Sequence, residues 1–341
     1  MWLRTAIAAG LAPLLLAPGF APTSFPPSME KLIAAAAPLT VEERQTLLSG
    51  APIGKLVEDA EPGKEVAVFG AAWIAASQSA YVRWIKDIEH FENGGGFRIT
   101  KRISDPPRLE DFDRLEIPPD DFADLKTCRV GACELKLSEA SLLKLRSQID
   151  WNKPTAKADA EKLMRRVALE YVTGYREGGN ARLAVYRDSD RPMFVAKEFE
   201  AMIQHLPGLA TMPDLRDYLL KYPAVGLANS TDFLYWQEAA FGLKPTVRIN
   251  HVIIQDRPGE TVIASKMLYA SHYFWTALER RVLVPDPARG NGFWLMVLNR
   301  SRSDGLSGFV GRMIRGRVRS EALQGTISLL KVEKAAIESA R

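Results

Sequence analysis

The sequence predicts an α+β protein in which a curved antiparallel sheet wraps a long C-terminal helix. The segments 231–241, 245–255, 261–277, 280–285 and 293–302 are rich in Val, Ile, Tyr, Phe and Trp and are separated by turn residues, which marks strands in succession. The stretch 306–337 then reads as one helix. A sheet face and a helix stripe must each bury apolar surface, and this order lets them bury it against one another, often around a ligand cavity.

The N-terminus reads as an export signal over 1–21: Arg4 supplies the charge, Ala6 to Ala17 the apolar run, and Gly19 to Ala21 small residues near a cut. Pro13 interrupts that run, which argues against a membrane span. Residues 22–60 form an N-terminal helical segment, with Thr40 as an N-cap before Glu42 and Glu43. Over 61–341 the main domain follows, with strands at 65–75 and 97–103 on either side of a helix at 77–91. The proline-marked stretch 104–121 reads as a solvated loop that includes Asp111, Asp113, Asp120 and Asp121, and 125–137 as an extended pair around the two cysteines. At about 139–225 the pattern turns helical, with Leu163, Val167, Tyr171 and Tyr175 on one stripe, as a helical insertion packed over the sheet.

Cys128 and Cys133 are close enough to be joined by a disulfide through a tight turn at Gly131, and export to a periplasmic or secreted location would favour that bond. No histidine stands nearby to complete a metal site, and no metal or other cofactor is expected. Forty-five basic against 41 acidic residues give +4, too small an excess to imply nucleic acid. Phosphate-loop, dinucleotide, zinc-protease and nucleophile-elbow motifs are absent.

The element order over roughly 60–340 is similar to the START-like, or helix-grip, superfamily. That resemblance implies a cavity between sheet and C-terminal helix for a lipid, sterol or polyketide, or in some members a cyclase, hydrolase or lyase site. Separately, Cys-Arg-Val-Gly-Ala-Cys at 128–133, Tyr-Ala-Ser-His-Tyr-Phe at 269–274 and Asn-Arg-Ser-Arg-Ser-Asp-Gly at 299–305 resemble an uncharacterised family of exported bacterial proteins.

Chemistry can be placed at three points. Alternation along one aromatic strand would put Tyr269, Ser271, Tyr273 and Trp275 on one face, as a ligand wall or as ordinary sheet core. Arg300, Arg302 and Arg312 could grip an acidic head group near the helix start, or simply carry surface charge there. His251 and His272 are candidate general bases, or satisfied imidazoles. A hairpin turning at 257–259, in which facing residues sum to about 516, puts His251 near Ser265 and on the opposite face from His272.

On the final helix, Arg312, Arg315 and Arg319 share a stripe with Leu323, Ile327, Leu330 and Ile337. Either the helix kinks, or the arginines face inward and need acidic partners. The expected role is therefore an exported binding or carrier protein for an amphipathic small molecule or lipid, with room for peripheral contact to a membrane. A cavity enzyme using a histidine base and an arginine, and a structural envelope protein, are the alternatives.

Overall fold

Helices and strands are interspersed up to residue 229, and five strands then follow in succession. The order is α1 (Pro27–Ala36), α2 (Val41–Leu48), β1 (Ile53–Leu56), β2 (Glu65–Ile74), α3 (Gln78–Lys86), α4 (Ile88–Phe91), β3 (Phe97–Ile103), α5 (Pro119–Leu125), α6 (Glu139–Gln148), α7 (Ala156–Gly178), β4 (Val185–Tyr186), β5 (Met193–Phe194), α8 (Val195–Gln204), α9 (Pro213–Lys221), β6 (Ser230–Phe241), β7 (Lys244–Arg257), β8 (Glu260–Ala270), β9 (Phe274–Pro285), β10 (Phe293–Ser303) and α10 (Gly308–Ser339). The computed structural model describes residues 24–339 apart from 95, 242, 243 and 307, so the segment read as an export signal lies outside the described residues.

One sheet of eight antiparallel strands runs β1-β2-β10-β9-β8-β7-β6-β3. The last strand of the chain inserts between β2 and β9, which joins the early residues to the late meander. Thr40 accepts the amide of Glu43 and Glu43 accepts that of Thr40, so the expected cap is a full capping box.

Three sequence expectations are corrected. The single strand read over 261–277 is broken: β8 ends at Ala270 and β9 starts at Phe274, with Tyr273 at φ 60° in the turn between them. That turn has neither Gly nor Pro, so β-favouring aromatics run straight across it and hide it from pattern reading. The cysteine segment is not a strand pair but a loop with one isolated bridge, Arg129 to Ala132, and Cys128 and Cys133 are disulfide-bonded. The proline-marked stretch read as solvated runs into α5, where Asp121 is buried.

Alternation divides the sheet's two faces. On β2, Val66, Val68, Gly70, Ala72 and Ile74 face α10 and α3, while Ala67, Phe69, Ala71 and Trp73 face α1, α2 and the helices of the insertion. The helix α10 lies on β1 and β2 so closely that a Cβ on Gly70 would stand 2.7 Å from Thr326 and 2.8 Å from Leu330. Arg315 and Arg319 lie on the same stripe as Leu323, Ile327 and Leu330 and point inward, where both pair with Asp59, whose side chain is 0% exposed. The acid those arginines need thus comes from the protein itself.

Candidate functional site: a polar groove beside the C-terminal helix

Because α10 sits over β1 and β2, the same face of β6 to β9 is covered mainly at one end, by α3 and α4. There Tyr81, Ile85 and Ile88 pack on Phe233, Ile254, Ile263, Leu283 and Phe293. Farther along, three adjacent strands bring Ser265, Glu279 and Asn299 side by side, with Ser265 opposite Glu279 and Glu279 opposite Asn299. All three are half-buried although their strands lie in the middle of the sheet. Polar side chains in that state form a partly exposed polar row on the sheet, the kind of surface a binding groove would use.

A charged network frames this row. Arg281 donates from Nε to Glu279 at 2.7 Å and from Nη1 to both oxygens of Glu333 at 2.8 and 2.7 Å, and it also reaches the hydroxyl of Tyr81. Tyr81 donates to Glu333 at 2.8 Å. At the β6–β7 side, Glu92 accepts the Tyr235 hydroxyl at 3.2 Å and the Gln237 amide, while Arg248 donates to the Gln237 carbonyl.

The carboxyls are tuned apart. Burial pushes Glu92 above the ordinary carboxylate range against the pull of Arg248, and it pushes Glu333 up against the pull of Arg281. For Glu279 burial acts in the same direction, but the charge and hydrogen bond of Arg281 outweigh it and hold the group below that range. The row therefore offers an ionised carboxylate, a hydroxyl and an amide beside an apolar end. That set can hydrogen-bond a polar head group. Among the described residues no three potential metal ligands come together.

The residues singled out from the sequence are dispersed. Arg300 and Arg302 lie on the sheet face away from α10 and are each 1% exposed. Each donates to Glu65 at 2.7 Å, and Arg302 also meets Glu61 at 2.7 Å and Glu198 at 2.8 Å. They do not face a sheet–helix cavity, because β10 alternation turns even-numbered residues to the other side. Arg312 is exposed on α10.

Tyr269, Ser271 and Tyr273 do not form a common wall, since the turn separates them. Tyr269 packs edge-on against Tyr171 and Tyr186. Ser271 accepts the amide of Val247, and Tyr273 accepts that of Lys244. Trp275, Ser303, Asp304 and Gly305 line an open depression of about 340 Å³ with residues 61–64.

The two histidines sit in separate clusters, each with its own carboxylate. His272, in the β8–β9 turn, lies 3.1 Å from both oxygens of Asp121, and each of the two side chains is 4% exposed. The β7–β8 register differs by one from the expected sum, so His251 faces Lys266, not Ser265. His251 accepts from the Tyr175 hydroxyl at 2.9 Å and donates from Nε2 to Asp232 at 2.9 Å. Burial drives this imidazole down to about 4, against the opposing pull of Asp232, so it is neutral at pH 7 and its remaining proton goes to Nε2. Lys266 lies behind Tyr175, 0% exposed and lowered to about 7 by burial.

Sequence reasoning missed Glu279, Ser265, Glu92 and Arg281. One signal was present: Glu279, Arg280 and Arg281 are consecutive charges inside an apolar strand, so charge must fall on both faces of the sheet.

No family model matches this sequence. No curated protein matches it either. Among solved structures the chain is similar to the one titled "Crystal structure of Ara h 8.0201", at 12% identity and a TM-score of 0.19, over 42% of this chain and 90% of that one.

Proposed function

We propose that this is an exported binding protein that holds an amphipathic small molecule in the groove beside α10. Its polar head would rest on Ser265, Glu279 and Asn299, with its hydrocarbon part away from the end that α3 covers, where Phe293 and Leu283 are fully buried. The supporting observation is the half-buried polar row in the middle of the sheet, which keeps partial exposure there. Because Glu279 is already matched by Arg281, a head rich in hydroxyl or amide groups fits better than a second anion. The disulfide at Cys128 and Cys133 supports an oxidising compartment, periplasmic or extracellular. The domain layout proposed is the one read from the sequence, with β1 added to the sheet from within 22–60.

A catalytic role for either histidine has less support. His251 and His272 are 1% and 4% exposed, and both are engaged by carboxylates, so no substrate atom has access to them. The test is native mass spectrometry of the exported protein followed by solvent extraction. A stoichiometric amphiphile that is lost from a Ser265→Trp variant is the expected result; an equally loaded variant, or no bound compound under any purification, would sink the proposal.

A further inference from the structure

Arg280 lies on the sheet face opposite the groove, between Ala264 of β8 and Leu298 of β10. It is 3% exposed, and its Nε and Nη1 have no hydrogen-bond partner among the described residues. Its neighbours on that face show what is missing: Arg300 and Arg302 are as deeply buried, but Glu65 matches them. The acid whose charge reaches Arg280 is Glu260, near the start of β8 and already 3.4 Å from Arg257. An uncompensated guanidinium at this depth is costly, and folds keep one only where something neutralises it.

The surroundings leave room for that partner. A cavity of about 10 Å³ is lined by Leu32 and Ala36 of α1, by Phe69, Val282, Met296 and Leu298, and by Arg280 itself. That is close to the space one water-sized sphere needs. On the other side Gly208 adopts φ 79°, and a Cβ there would stand 2.8 Å from Nη2, so only a glycine-shaped loop clears the guanidinium.

We propose that Arg280 and the cavity beneath α1 form a site for one monoanionic group, either a halide ion or the carboxylate of an organic acid. A single unmatched positive charge calls for one negative charge, and apolar walls disfavour a strongly hydrated dianion. A halide is wider than a water and enters only with a small outward movement of the walls, whereas a carboxylate requires α1 to lift farther and make room for a chain along Leu32 and Phe69. The site is separate from the groove, and its failure would leave the groove untouched.

The experiment combines crystals of the full chain grown in sodium bromide with melting curves in bromide, in decanoate and in bulky gluconate at equal ionic strength. Anomalous bromide density within hydrogen-bond reach of Arg280, and a bromide-dependent rise in Tm that is lost in Arg280→Met, would establish the halide source. A decanoate-dependent rise lost in the same variant would establish the carboxylate source. Identical anion responses in wild type and Arg280→Met, with no bromide at the cavity, would overturn the proposal. Should Arg280→Met fail to fold, Arg280→Lys replaces it, and bromide occupancy in the wild-type crystal decides the matter.

Discussion

Arg281 and Glu333 form a buried two-pronged contact, 2.8 and 2.7 Å from one guanidinium nitrogen to the two carboxylate oxygens, which ties the middle of β9 to the last turns of α10. Their side chains are 5% and 2% exposed. Removing one partner from such a pair strands the other charge, at a cost of about 3–5 kcal/mol. We expect Glu333→Ala to lose about 3 kcal/mol in urea unfolding, at the low end because Glu279 still faces Arg281. The double variant Arg281→Met with Glu333→Leu should recover most of it; no recovery would mean that the contact acts through something other than charge.

Gly70 is where α10 comes closest to the sheet, so its substitution tests the seating of the helix. Gly70→Val must displace Thr326 and Leu330 and should cost about 1–3 kcal/mol. Amide exchange in α10 should accelerate more than exchange in β7. Equal acceleration in the two elements would argue against a local effect.

Lys266 makes stability depend on pH. Its folded value, about 7, lies below the ordinary lysine value of 10.5, so between these limits the unfolded chain binds the extra proton. Stability therefore rises with pH across that window, by up to about 1.4 kcal/mol per pH unit, and falls again as pH is lowered toward 7. Unfolding at pH 7.5 and 9 should show this slope in wild type and lose it in Lys266→Met. A slope that survives the substitution would assign the effect elsewhere.

Groove and opposite face should separate cleanly in ligand retention. Asn299→Ala removes one hydrogen bond from the proposed head-group row and should weaken binding roughly tenfold at little cost in stability. Arg302→Ala should do the reverse: it leaves Glu65 and Glu61 short of a partner, costing about 3–5 kcal/mol, while the folded fraction keeps its ligand. Loss of ligand in Arg302→Ala but not in Asn299→Ala would move the site to the other face.

The disulfide closes a short loop, with the two cysteines five residues apart. Replacing both by serine should lower stability by roughly 2 kcal/mol, the loop-entropy value for so small a ring. A reduced wild-type sample should match the double variant in a melting curve.

The succession of strands and the final helix were legible because they rest on local periodicity. Expected strands at 231–241, 245–255 and 293–302 became β6, β7 and β10 with shifts of at most two residues at either end. The break at Ser271 to Tyr273 was not legible, and it carried the proposed ligand wall with it, because alternation cannot be extended through an unmarked turn. Register failed for a similar reason. A one-residue difference in the β7–β8 pairing, with a further shift between Ile249 and Asn250, changes which side chain His251 meets.

Local chemistry in the sequence determined the α+β character, the Thr40 cap, the strand meander and the cysteine loop, since each depends on residues a few positions apart. Only the tertiary structure decided which charges meet. Arg302 finds Glu65 from 237 residues away, and Arg319 finds Asp59 from 260. Pairing at such distances is set by strand order and by which face each residue occupies. Insertion of β10 between β2 and β9 therefore sent Arg300 and Arg302 to one side of the sheet and put Asn299 beside Glu279 on the other.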